Sequence, residues 1–142
     1  MSIKIYYDQI KYRIQKAGEI KRFLDKVIRE ENKTPGDLVF IFTSDEKVLE
    51  INRKFLKHDY YTDVISFDYS TEGEVTGEIY MSVDTIKKNA VSYKSTIKEE
   101  LLRVMIHGVL HLCGYRDEDV KDREKMFTRQ EQTLKEFKNW SE

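Results

Sequence analysis

The sequence predicts an α+β domain: a mixed four-stranded sheet packed with helices. Two observations carry this. Four segments are alternating or continuous apolar runs of strand length, and five carry apolar residues at helical spacing, in the order βαβαββααα. A third is the length, since 142 residues favour one compact domain, 1–142, with enough chain to bury a core.

Ile3 to Tyr7 alternates apolar and polar residues and predicts the first strand. Residues 13 to 31 carry Ile20, Phe23, Leu24, Val27 and Ile28 along one helical face, and Asn32 to Gly36 breaks the pattern. Leu38-Val39-Phe40-Ile41-Phe42 is a continuous apolar run, as a buried strand requires. Ser44 can cap the next helix, Asp45 and Glu46 suit its first turn, and Val48, Ile51 and Phe55 give it an apolar side. A polar loop, Lys57 to Tyr61, follows. Thr62 to Tyr69 alternates again, with Ile65, Phe67 and Tyr69 on one side and Val64, Ser66 and Asp68 on the other. Ser70 to Glu74 is a loop and Val75 to Ser82 a strand, so the pair reads as a hairpin. A short helix covers residues 83 to 92. Thr96 and Glu99 form a capping-box pattern that starts a helix at Ile97, and Gly114 is its stop. Residues 119 to 138 form the last helix, with Val120, Phe127, Leu134 and Phe137 along one stripe.

Composition removes several function classes. Lys and Arg number 25 against 26 Asp and Glu, a formal net charge of −1, so any nucleic-acid contact must use a local patch. One cysteine, Cys113, cannot close an internal disulfide, and a free thiol fits a reducing compartment. Arg103 and His107 interrupt the most apolar stretch, so no membrane span is expected, and the N-terminus has no signal-peptide pattern. The expectation is a soluble, intracellular protein.

The chemistry concentrates between Ile97 and Asp117. The helix there is apolar almost all round, with Leu101, Leu102, Val104, Met105, Ile106, Val109, Leu110 and Leu112. Yet Glu100, Arg103, His107 and His111 fall at steps of three, four and four, which is one polar stripe on a buried helix. Each such group left without a partner would cost roughly 1–3 kcal/mol, so the stripe must face a cleft, a partner or a metal. His107 and His111 are a turn apart and can converge on one ion. Gly114 lets the chain turn back, and Asp117 offers a third ligand ten residues after His107. In the string Asp117-Glu118-Asp119, solvent exposure or capping of the last helix are competing uses, and Cys113 is read as core packing. Zinc peptidases of the H-E-x-x-H type place their general base directly after the first histidine, where this chain has Gly108.

His107-Gly108-Val109-Leu110-His111-Leu112-Cys113-Gly114-Tyr115-Arg116-Asp117 resembles the HGxLHLxGYDH motif of the YbeY family of bacterial endoribonucleases. Thr62-Asp63-Val64-Ile65-Ser66-Phe67 is similar to that family's TDVLSF strand, and Gly77-Glu78-Ile79 to its GDI strand. The resemblance covers nearly the whole chain. It implies a zincin-like metal-binding helix, metal-dependent cleavage of single-stranded RNA, and a cytoplasmic role in 16S rRNA 3′-end maturation and late quality control of ribosomal particles. Three positions depart from it. The family's third histidine is Asp117, the preceding aspartate is Arg116, and an arginine six residues before the TDV segment is Leu56. The resulting expectation is one Zn²⁺ per chain held by His107, His111 and Asp117, with RNA contacts at Lys57, His58 and Arg103. The alternatives are a metalloprotease-like hydrolase and a non-catalytic ribosome-associated factor with a structural metal.

Overall fold

A computed structural model of the chain describes residues 2–57 and 62–140. In chain order it contains β1 (Ser2–Tyr7), α1 (Ala17–Glu30), β2 (Thr34–Thr43), α2 (Asp45–Phe55), β3 (Val64–Asp68), β4 (Glu74–Ser82), α3 (Val83–Ser92), α4 (Ile97–Leu112) and α5 (Val120–Asn139). This is the βαβαββααα order that periodicity predicts. The four strands form one mixed sheet in the order β1-β2-β4-β3, with β2 parallel to both β1 and β4 and β3 antiparallel to β4. α1 crosses between the parallel neighbours β1 and β2, α2 and then β3 intervene between β2 and β4, and a short turn suffices between β3 and β4.

Period-two alternation divides the sheet into two faces. Ile5, Phe40 and Ile79 stand in register, as do Tyr7, Phe42 and Met81, and these belong to the main core. Ile20, Phe23, Leu24, Val27 and Ile28 of α1 meet them, together with most of α4. Each fully buried Phe or Leu of this kind contributes about 1.5–3 kcal/mol relative to exposure. On the opposite face, Val48 and Ile51 of α2 pack on Ile65, with Phe67 and Tyr80 beside them. Three helices start on the side-chain caps expected of their flanking residues. Ser44 accepts from the Lys47 N–H at 3.3 Å, Thr96 from Glu99 at 3.0 Å and Asp119 from Asp122 at 2.7 Å.

Three expectations need correction. α1 begins at Ala17 rather than residue 13, because Lys16 sits in the left-handed region at φ 57° and cannot continue a right-handed helix backwards. β2 begins at Thr34, through Pro35 and Gly36, where a break is expected. β1 starts only opposite Asp37, and a register shift between Pro35 and Leu38 accommodates the proline before three strands pair. On α5, Val120 and Phe127 are exposed, and the buried positions are Met126, Gln130, Thr133 and Leu134.

α4 runs through the middle of the molecule, as its all-round apolar character requires. It crosses the sheet at Gly108. A Cβ built there would lie 2.8 Å from Cδ1 of Ile79. Among the described residues, no helix is long and apolar enough to cross a membrane.

Candidate active site

The polar stripe of α4 is met by α5, and the two helices build the site between them. Glu100 is almost fully buried and pairs with Arg103 one turn on. The Arg103 guanidinium also grips Glu131 of α5, Nε to Oε2 at 2.9 Å and Nη2 to Oε1 at 3.2 Å, and reaches Glu99 at 3.4 Å. Burial opposes the charge on Glu131, but hydrogen bonds from Arg103 and Gln130 outweigh it and hold that carboxyl below its usual range. Nδ1 of His107 lies 2.8 Å from Oε1 of Gln130, whose amide nitrogen donates to Oε2 of Glu131 at 3.0 Å.

His107 is half-buried and lines a cavity of about 300 Å³ together with Asp117, Arg123, Met126, Phe127 and Gln130. His107 and Asp117, ten residues apart in sequence, therefore share one space. The local backbone explains how. The Gly114 N–H donates to the His111 carbonyl and the Tyr115 N–H to the Leu110 carbonyl, each at 3.1 Å, and Gly114 adopts φ 110°. These are the paired bonds of a Schellman close, which a glycine permits and an L-residue resists. Arg123 then donates to the carbonyls of Asp117 at 3.2 Å and Glu118 at 3.3 Å, fixing the returning chain against the first turns of α5.

His111 is exposed, one turn beyond His107, and does not line that cavity. Among the described residues, no three His, Cys, Asp or Glu side chains are drawn together as a metal cluster. The donor chemistry still fits zinc. Two imidazoles on one helical face and a carboxylate returning across a glycine turn are its usual ligand types. The neighbouring acids have other roles. Asp119 caps α5, and Glu118 pairs with Arg116 at the surface. Cys113 is a partly buried member of the core, and burial pushes its thiol up to about 12, far from a reactive thiolate.

The other expected residues are distributed as follows. Arg103 directs its guanidinium at three carboxylates. Lys57 is exposed just past α2, at φ 57°. His58, and with it the rest of the loop through Tyr61, lies outside the described residues. Leu56 is exposed at the end of α2, its N–H bonded to the Asn52 carbonyl at 3.1 Å.

Two polar residues beside His107 carry no assignment from the sequence. One is Gln130, 23 positions from the histidine it touches, in a helix read only for its apolar stripe. The other is Asp63, which contributes to the TDV pattern but receives no chemical role there. Burial holds the Asp63 carboxyl above the usual carboxylate range, although backbone N–H groups and the nearby His107 ring pull the other way.

The chain matches the family model described as Endoribonuclease YbeY over residues 3–138. It belongs to the YbeY family. An endoribonuclease YbeY of Flavobacterium psychrophilum is 43% identical over 129 residues, covering 91% of this chain and 92% of its own length. One from Parabacteroides distasonis is 41% identical over 126 residues, covering 89% of each chain. The solution structure of a Thermotoga maritima protein superposes with a TM-score of 0.67 at 29% identity, over 95% of this chain and 88% of that one. YbeY membership agrees with the α+β fold and with the HGxLHLxGY segment lying on α4 and its glycine turn.

Proposed function

We propose that this YbeY-family chain is a zinc-dependent, single-strand-specific endoribonuclease of the cytoplasm, acting in 16S rRNA 3′-end maturation and late quality control of ribosomal particles. The observation that carries the reading is the sharing of one cavity by His107 and Asp117, with His111 a helical turn away. The curated relatives, named endoribonucleases, support the reaction class.

His107, His111 and Asp117 would hold the ion. Bound there, Zn²⁺ supplies Lewis acidity to a phosphodiester and makes a water more acidic, as in other three-ligand zinc sites. Asp117 in place of a third histidine lowers the positive charge of the site by one and widens tolerance toward harder ions such as Mn²⁺. Phe127, exposed at the cavity's edge, offers a face for base stacking. Lys57 and His58 are the proposed phosphate contacts. Arg103 is a weaker one, since its charge is already met by Glu99, Glu100 and Glu131.

The metalloprotease alternative loses ground on the packing of α4. Position 108 faces Ile79 of the sheet, so a glutamate there would enter the core rather than the cavity. A structural-metal factor would need a fourth protein ligand, and the neighbouring acids are engaged elsewhere, Asp119 in the α5 cap and Glu118 with Arg116. The test is to incubate the pure protein with a single-stranded 16S 3′-end fragment, the same fragment annealed to a complement, and casein, each with and without chelator. Chelator-sensitive cleavage of the single-stranded RNA alone is expected. Chelator-sensitive casein hydrolysis without RNA cleavage would reverse the assignment.

A further inference from the structure

The hydrogen bonds behind His107 form a chain whose polarity is fixed from one end. Arg103 has only donors and is always charged. Its two-point grip on Glu131 marks that side chain as an ionised carboxylate, which only accepts. Gln130 meets Oε2 of Glu131 at 3.0 Å and must do so with its NH₂, because its carbonyl oxygen there would face a second acceptor. The amide orientation is thereby settled. Oε1 of Gln130 points at Nδ1 of His107 across 2.8 Å, and a carbonyl oxygen accepts only. Nδ1 must carry the hydrogen. Gln130 is 7% exposed, so little water is available to satisfy the reverse arrangement.

We infer that Arg103, Glu131 and Gln130 act as a positioning relay that fixes neutral His107 as its Nδ1–H tautomer and keeps Nε2 free as an electron-pair donor. A histidine side chain free in water favours the opposite tautomer, so the relay works against the intrinsic preference of the substituted ring. It gives Arg103 a role distinct from RNA contact. It also assigns α5 a part in the site that no residue of the histidine motif performs. The tautomer follows from the hydrogen bonds alone. Its use in holding a metal rests on the reading above, as the partners of metal-binding histidines generally orient the ring and raise its basicity.

The two claims separate experimentally. Long-range ¹H–¹⁵N spectra of the labelled, metal-free full chain, recorded above the histidine titration range, distinguish protonated from bare ring nitrogens. For the parent protein, His107 is expected to show a protonated Nδ1 and a bare Nε2. In Gln130→Leu the signal should move toward the Nε2–H form while exposed His111 stays unchanged, with parent-like amide chemical-shift dispersion as the control for folding. A parent spectrum showing Nε2–H at His107 overturns the relay, and this holds even if Gln130→Leu fails to fold. An unchanged tautomer in a folded Gln130→Leu overturns it as well. Zinc affinity of Gln130→Leu, measured by competition with a chromogenic chelator, should fall about 10- to 100-fold. Parent-like affinity alongside the expected tautomer shift would contradict the metal reading and leave the relay standing.

Discussion

Gly108 of α4 lies directly against Ile79 of β4: a Cβ at position 108 would meet Cδ1 of Ile79 at 2.8 Å and Cγ2 at 3.2 Å. Ile79 is fully buried in a close-packed core, so it has little room to yield. The glycine that follows the first histidine is therefore a condition of the helix reaching the sheet, as well as the absence of a peptidase base. Gly108→Glu should lower stability by at least about 3 kcal/mol, from overpacking plus an unpaired buried charge, and should confer no casein hydrolysis. Urea unfolding of the variant checks this. A midpoint close to the parent's would mean that position 108 opens toward the cavity.

The three consecutive acids should separate into different roles. Asp119→Ala removes the α5 cap and should cost about 0.5–2 kcal/mol of stability without loss of metal affinity. Glu118→Ala should alter neither. Asp117→Ala should lose metal affinity sharply with little change in stability, since its side chain is exposed. Thermal unfolding and zinc titration of the three variants test the division. Loss of metal in Glu118→Ala instead would move the third ligand.

The Arg103–Glu131 pair predicts a sign for stability against pH. Burial raises the Glu131 carboxyl, while Arg103 and Gln130 lower it further than burial lifts it, so the folded value lies below the unfolded one. The folded state then binds fewer protons. The pair's contribution is fully present above the unfolded glutamate range, near pH 4.3, and is lost as pH falls through the lower folded value. Arg103→Met should flatten this acid limb. Unfolding midpoints between about pH 5 and pH 3 should drop less steeply in the variant than in the parent, and equal slopes would refute the coupling.

Leu56 stands where the family resemblance implies an arginine, and it is exposed at the end of α2. Leu56→Arg should therefore fold normally. It should also tighten single-stranded RNA binding and steepen log K against log salt by about 0.7, the contribution of one added phosphate contact. An unchanged slope would place Leu56 away from the RNA path.

Local signals make the element order readable in the sequence. Ser44, Thr96 and Asp119 sit one residue before their helices and cap them. Gly114 ends α4 by a turn that its residue type permits. What stayed hidden is non-local or unmarked. Nothing about Lys16 advertises a left-handed backbone, so α1 reads four residues too long at its N-terminal end. Pro35 and Gly36 look like breakers because the register shift that admits them depends on where β1 begins. Helical spacing places Val120 and Phe127 on a stripe but cannot say how far the partner surface extends. For the site, the histidine spacing and the glycine turn put forward His107 and Asp117, which the fold places on one cavity. The partners of Arg103 and His107, Glu131 and Gln130, lie 28 and 23 residues away, and only the packing of α5 on α4 brings them in.

Under the proposed function, a single ion held at His107, His111 and Asp117 enables cleavage of single-stranded RNA. The most direct measurement is to titrate Zn²⁺ into metal-free protein and follow cleavage of a single-stranded 16S 3′-end fragment at each ratio. Activity in the parent should rise from background and saturate at one Zn²⁺ per chain, while His107→Ala stays at background throughout. Full cleavage by the metal-free parent, or a parent-like curve from His107→Ala, would rule out a metal-dependent reaction at this site.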